Sequence, residues 1–198
     1  VTSYDLEQLG PTGFQDLAAS LATAVFGPNV QTMGAGRDGG RDMIHTGRTV
    51  WAEEAGQFTD AWDGYTVFQV KHKSRLAAAP ADNAAWLRAE IGKELERWAD
   101  HVGDRNPVPD YMVIGTNVPL SPFPGSGGYD SLTADIAQFI NRFEDDSRDV
   151  NAAAKTLRVE KLARLRKIRA WRFWDGHQIQ SLLDVHATVR HAFPGFLT

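Results

Sequence analysis

Cysteine is missing from all 198 residues. Its absence excludes disulfide frameworks and thiolate chemistry, and fits a reducing cytoplasm. No apolar run approaches the roughly 18 residues that a membrane-spanning helix needs. The opening residues lack the basic start and apolar stretch of a signal peptide. A cytoplasmic protein without membrane contact is therefore expected. No GxxxxGK[ST] phosphate loop occurs, so the chain carries no nucleotide-hydrolysing engine of that kind. No Ser-His-Asp order supports a nucleophilic triad. The histidines at 45, 101, 177, 186 and 191 show no metal-ligand spacing, and His72 reads as a packed strand residue. Internal repeats and low-complexity tracts are also absent.

What is present describes one folded unit. The length suits a single well-buried core, and a 42% hydrophobic content excludes global disorder. A single domain over 1–198 is expected, with a core at about 11–118 and an extension at about 119–198. The net charge of −4 argues against wholesale coating of nucleic acid, but its distribution is uneven. Between Lys155 and Arg172 eight basic residues stand against one acid, Glu160. That stripe reads either as a docking surface for a polyanion or as a solvated helix face.

Residues 11–26 read as an amphipathic helix. Phe14, Leu17, Leu21 and Val25 recur at spacings of three and four, Pro11 suits the first turn, and Gly27-Pro28 ends it. A short strand is expected at 30–33, a glycine-rich turn at 34–40, and the start of a second strand at 42–44. Residues 45–64 suggest a hairpin extension with Trp51 and Trp62 packed beneath it. Residues 65–72 alternate clearly, with Phe68, Val70 and His72 on one face and Gln69, Lys71 and Lys73 on the other. A helix at 82–101 presents Trp86, Ile91, Leu95 and Trp98 to the core. The apolar run at 111–115 has the signature of an interior strand. A Pro/Gly-rich loop at 119–128 follows, then helices at about 131–144 and 150–165 and a strand at 168–174. Asp175 and Gln178 can cap a final helix running to about 191. This order predicts an α/β fold, a mixed central sheet flanked by helices with a C-terminal helix/strand extension.

Two stretches carry chemistry: Gly36-Arg37-Asp38-Gly39-Gly40-Arg41-Asp42, and Phe68-Gln69-Val70-Lys71. Metal-assisted phosphodiester hydrolysis needs a hard cation on oxygen ligands, an attacking water and positive charge against the transition state. Asp42 offers a carboxylate at a strand start, Gln69 a side-chain carbonyl, and Val70 a main-chain carbonyl. Lys71 shares the sheet face of Gln69, where it can orient or deprotonate the water or stabilise developing charge on phosphate. Glycines 39 and 40 allow close approach of a backbone or phosphate. Each stretch also has a plainer reading. Asp38 and Asp42 can be turn residues, and Gln69 and Lys71 the wet face of an edge strand.

Together, in this order, the two stretches resemble the PD-(D/E)xK nuclease superfamily, and within it the Mrr-like restriction endonucleases. Their motif joins a glycine-rich turn ending in aspartate to a strand carrying Gln-x-Lys or Glu-x-Lys. The helix, three strands, helix, strand order read over 11–115 is similar to that superfamily's core. The resemblance implies a restriction-endonuclease-like fold, Mg²⁺ or Mn²⁺ as cofactor, and DNA, double-stranded rather than single-stranded, as substrate. It makes Asp42 the metal-binding aspartate, Gln69 the second ligand, Lys71 the catalytic lysine and Asp38 an accompanying acid. Many relatives carry a glutamate in the first helix. Here Gln15 stands where that acid aligns, leaving Asp16 or Glu7 as substitutes.

On this reading Arg37, Arg41, Lys73 and Arg75 contact the DNA backbone beside the cut, and the stripe, through Arg164 and Lys167, adds a second phosphate contact. Such domains commonly serve as effectors of prokaryotic restriction or anti-phage defence proteins, joined to sensor or NTPase modules. The start at Val1 fits a piece of a longer chain, and homo-oligomerisation is an expectation of the same kind. Two other classes stay open: a catalytically inactive module that kept the fold to bind nucleic acid or a partner protein, and an enzyme acting on RNA or nucleotides.

Overall fold

A computed structural model describes residues 4–33, 41–54, 57–100, 103, 105–123, 127–147 and 149–193, with side chains left out at 52–54 and 57–59. A short 3-10 helix (Leu6–Leu9) leads into α1 (Gly10–Phe26). Pro11 fills the first turn of α1, where its missing N–H costs nothing. Gly27 ends the helix at φ 85°, a backbone region that side chains with a Cβ rarely adopt. The other elements are β1 (Gln31–Thr32), β2 (Met43–Glu54), β3 (Gln57–Lys71), α2 (Pro80–Ala99) and β4 (Tyr111–Thr116). They are followed by α3 (Gly128–Asn141), α4 (Ala152–Lys167), β5 (Ala170–Trp174), α5 (Gly176–Val185) and α6 (Ala187–Ala192).

The strands form one mixed sheet in sequence order, β1-β2-β3-β4-β5. The first three pair antiparallel, while β3, β4 and β5 run parallel. Helices cover both faces, as parallel strands require. On one side Phe14, Leu17 and Leu21 of α1 and Ile179 and Leu183 of α5 pack on Met43, Phe68, Val113 and Trp174. On the other side Leu87, Ile91, Leu95 and Trp98 of α2, Leu132 of α3 and Leu165 of α4 pack on Val67, Met112, Ile114 and Phe173. The α/β architecture expected from the sequence is thus observed. β5, from the expected extension, joins the same sheet beside β4.

Two local expectations need correction and a third is met. β1 is only two residues long, because it pairs with β2 solely at Gln31–Ile44 and Thr32–Met43. The hairpin expected over 45–64 is observed as the outer part of β2 and β3, whose ladder runs out to Glu54 and Gln57. Trp51 and Trp62 meet edge-on across it, 4.9 Å apart. The final helix is broken at His186, which leaves helical geometry and serves as C-cap of α5 and N-cap of α6. That break redirects α6 so that Val189 packs against the α1 side of the core. The expected cap at Asp175 is present, its carboxylate accepting from the Gln178 N–H at 2.9 Å.

Candidate functional site at the carboxyl end of β3

Asp42 stands where β2 and β3 begin to pair, at the end of the sheet towards which the parallel strands point. Its N–H donates to the Phe68 carbonyl and its carbonyl accepts from the Met33 N–H. Its carboxylate oxygen Oδ2 accepts the Val70 N–H at 2.6 Å. A side chain therefore continues the ladder by one step. Met43 lies opposite Phe68, and Asp42 stands one residue beyond that pair, past the end of the regular register. Asp42 is also half-buried against a cavity of about 450 Å³, lined by Thr12, Gln15, Asp16 and Ser20 of α1 and by Thr32 and Met33. The first helix thus brings both Gln15 and Asp16 to the cavity that Asp42 borders.

Gln69 and Lys71 point to the opposite, α2-covered face. β3 lies between β2 and β4, and Gln69 is only 2% exposed. The edge-strand reading of these residues is therefore overturned. The Gln69 side chain lies towards the Glu94 carboxylate and helps to hold it ionised, while its oxygen Oε1 is buried with no partner among the described residues. Leaving such an acceptor unsatisfied costs about 1–3 kcal/mol.

Lys71 Nζ donates to Glu94 Oε1 at 2.7 Å, and Arg105 donates to Glu94 Oε2 at 2.6 Å. Arg97 adds a longer contact to Oε1, 3.2 Å. Burial pushes the Glu94 carboxyl up. The Lys71 charge and hydrogen bond, the Gln69 amide and the Arg105 charge outweigh it and hold Glu94 below the ordinary glutamate range.

Neighbouring polar residues fix the chain beyond the strand. Asn117 accepts the Lys73 N–H and donates to the Lys73 carbonyl. Lys73 Nζ donates to Asn83 Oδ1 at 2.7 Å and lies over the Trp86 ring. Glu7 accepts the Leu76 N–H at 2.8 Å, so this acid anchors a loop. His72 packs on Phe14 and bonds the Leu6 carbonyl, as a packed strand residue does. Arg75 is exposed. Arg41 donates to the Asn106 carbonyl at 3.0 Å. Arg37 and Asp38 lie outside the described residues.

The basic stripe is mostly occupied. Arg158 forks onto Asp149, Arg166 pairs with Glu144, Arg169 with Asp110 and Arg172 with Asp60. Arg164 donates to the carbonyls of Trp98 and Arg105 and to Asn106 Oδ1, at 2.7–3.0 Å. Its guanidinium thereby clamps the loop after α2. Lys167 is exposed and forms no ion pair or hydrogen bond among the described residues.

Sequence reasoning missed Glu94, Arg105, Asn83 and Asn117. A signal existed for Glu94: positions 87, 91, 94, 95 and 98 make one helical stripe, and an acid stands inside it. Arg105, Asn83 and Asn117 had no comparable mark.

For a hard cation, the fit rests on oxygen donors. The Asp42 carboxylate, beside the α1 cavity, and the unpartnered Gln69 oxygen, towards α2, are both suitable in kind. Among the described residues no group of three or more His, Cys, Asp or Glu side chains converges, so water and a substrate phosphate must complete such a shell. Among these residues, too, no helix is long and apolar enough to cross a membrane. The chain matches no protein-family model, no curated protein and no solved structure with which it was compared.

Proposed function

We propose that the protein is a metal-dependent endonuclease that hydrolyses DNA phosphodiester bonds, of the Mrr-like PD-(D/E)xK kind. One observation carries the reading: Asp42 bonds the Val70 N–H directly between Gln69 and Lys71, so the two sequence motifs meet at one strand end. Open α/β sheets bind ligands outside the carboxyl ends of their parallel strands, and this is such an end.

Asp42, Gln69 and the Val70 carbonyl would hold Mg²⁺ or Mn²⁺. When bound, that ion polarises the phosphoryl oxygen and generates a hydroxide-like nucleophile from water. Lys71, an ammonium against the Glu94 carboxylate, supplies positive charge beside the phosphate. Asp16 and Gln15 polarise water in the cavity next to Asp42. Arg41, Lys73 and Arg75 face the DNA backbone from the same end of the sheet. We assign the protein to the cytoplasm, as the effector domain of a restriction or anti-phage defence protein with sensor or NTPase modules in a longer chain. Pairing of two copies would serve cleavage of both strands of duplex DNA.

A second reading, an inactive module that binds nucleic acid or a partner protein, is favoured by the Lys71–Glu94 pair, which engages the lysine within the chain. A plasmid-cleavage assay with Mg²⁺ or Mn²⁺ separates the two. Cutting that requires metal and disappears in Asp42→Ala and Lys71→Ala establishes the nuclease. Cutting that survives both substitutions rejects the site. Binding of DNA without cleavage under every metal supports the second reading.

A further inference from the structure

We infer that Glu94 is the positioning residue of this site: its carboxylate sets the Lys71 ammonium with one oxygen and, with the other, ties it through Arg105 to the loop on which Arg41 rests. The inference rests on the nuclease reading and adds to it a residue on a different element.

The connections form one continuous path. Lys71 meets Glu94 Oε1, and Arg105 meets Oε2. The Arg105 carbonyl and the Asn106 side chain are gripped by Arg164. The Asn106 carbonyl accepts from Arg41, the residue before Asp42. The loop at 105–106 therefore braces both halves of the site, the aspartate end of β2 and the lysine end of β3.

Stability alone does not account for this arrangement. Removing charges from water costs several kcal/mol per ion, and a buried pair is often no more stabilising than apolar side chains of similar volume. The stripe of Leu87, Ile91, Leu95 and Trp98 surrounding Glu94 would accept a leucine. The cluster also leaves Gln69 Oε1 and Arg105 Nε without partners among the described residues, a further cost. What the charges provide is a fixed lysine. A free lysine side chain samples many rotamers, and ordering it in advance keeps that loss of freedom out of the reaction step.

The test compares wild type, Glu94→Gln, Lys71→Met and the double variant in single-turnover plasmid cleavage with Mg²⁺. DNA affinity is measured alongside in Ca²⁺, and the Lys71 side-chain ¹⁵N resonance, assigned by its loss in Lys71→Arg, is followed by NMR. Glu94→Gln should slow cleavage by about 10–100-fold, as loss of a supporting partner typically does, with DNA affinity unchanged. The double variant should be no slower than Lys71→Met alone, and the Lys71 resonance should shift in Glu94→Gln. Glu90→Gln, which breaks only the exposed pair with Lys93, should change none of these. If Glu94→Gln melts too low to assay, Glu94→Asp is read by the same criteria. Wild-type cleavage with an unaffected Glu94→Gln, losses that multiply in the double variant, or an unmoved Lys71 resonance overturns this role while leaving the nuclease reading intact. A wild type that cuts with no metal overturns the nuclease reading and this role together.

Discussion

At the carboxyl end of β3, Lys71 and Arg105 converge on a single carboxylate, Glu94, that is almost sealed from solvent. Along α4 and β5, Arg158, Arg166, Arg169 and Arg172 each take a separate acid, from Asp149, nine residues away, to Asp60, in β3. The first region concentrates charge in a low-dielectric interior, where each partner depends on the others. The second distributes charge over separate pairs; Arg166–Glu144 and Arg169–Asp110 lie open to screening by solvent, while Arg158–Asp149 is largely buried but self-contained, so one loss is absorbed locally. Counting basic residues along the sequence weights the two regions the wrong way round. The eight cations from Lys155 to Arg172 are conspicuous, yet their arginines mainly hold the chain to itself. The isolated Glu94 is inconspicuous, yet it organises the lysine on which the proposed chemistry depends.

The contrast can be broken most forcefully at Glu94. Glu94→Leu removes the shared acid and leaves Lys71 and Arg105 as uncompensated buried cations. It should lower unfolding free energy by about 3–5 kcal/mol, the cost of breaking a buried ion pair from one side. Replacing all three charges by apolar residues of similar volume should recover most of that loss. Urea denaturation of the single and triple variants measures both. A Glu94→Leu variant as stable as wild type would show that the cluster is hydrated rather than buried.

Arg164→Ala should come next. It leaves three oxygens, on Trp98, Arg105 and Asn106, without their donor. The expected loss is about 1.5–3 kcal/mol, the range for hydrogen bonds from charged groups. Arg164→Lys should restore little, since one ammonium does not reproduce the planar fork that reaches three acceptors. Equal stability of the Lys and wild-type proteins would place Arg164 with the screened surface cations.

How far the sequence foretold these regions follows from what each kind of signal encodes. Period-two alternation in 65–72 placed Gln69 and Lys71 on one face correctly, because strand geometry leaves no other choice. The apolar run at 111–115 became a wholly buried strand between two parallel neighbours for the same local reason. The caps at Pro11, Gly27 and Asp175 were equally local. Partners set by tertiary packing were not readable in this way. Glu94 lies 23 residues from Lys71, and nothing near either residue announces the other. The break at His186 was hidden because the apolar periodicity continues through it, and only the packing of Val189 on α1 explains the change of direction. The meeting of Asp42 with Val70 was implied by the motif order, but its geometry required the register of β2 on β3.

Acid titration sharpens the comparison further. Because Glu94 is held below its ordinary range in the folded chain, its ionisation stabilises the fold above the unfolded value of about 4.3. That contribution is lost as pH falls through the lowered folded value. His45 acts over a higher interval. Burial lowers its pKa, so protonation favours the unfolded chain and stability falls as pH drops below about 6.5. Thermal melts from pH 7 to pH 3 should therefore decline in two stages. Glu94→Gln should shrink the lower stage, leaving the part due to Asp149, which the hydrogen bond from Arg158 also holds below the ordinary range, and His45→Asn should remove the upper one. An undiminished lower stage in Glu94→Gln would assign it wholly to other carboxylates.

The smallest effect on stability belongs to the lysines of the stripe. Lys161 and Lys167 take no hydrogen bond or ion pair among the described residues, so Lys161→Gln with Lys167→Gln should change unfolding free energy by no more than about 0.5 kcal/mol. On the proposed function, their consequence lies in DNA binding. Each phosphate contact removed should reduce the slope of log affinity against log salt by about one. The paired substitution should therefore flatten that slope by about two if both lysines touch the backbone. With the neighbouring arginines occupied inside the chain, these two and the exposed Lys155 are the stripe's remaining means of meeting a polyanion at little cost in stability. An unchanged slope would leave α4 as a structural brace for the 105–106 loop. DNA contact would then fall entirely to the end of the sheet, where Arg41, Lys73 and Arg75 lie beside the proposed centre.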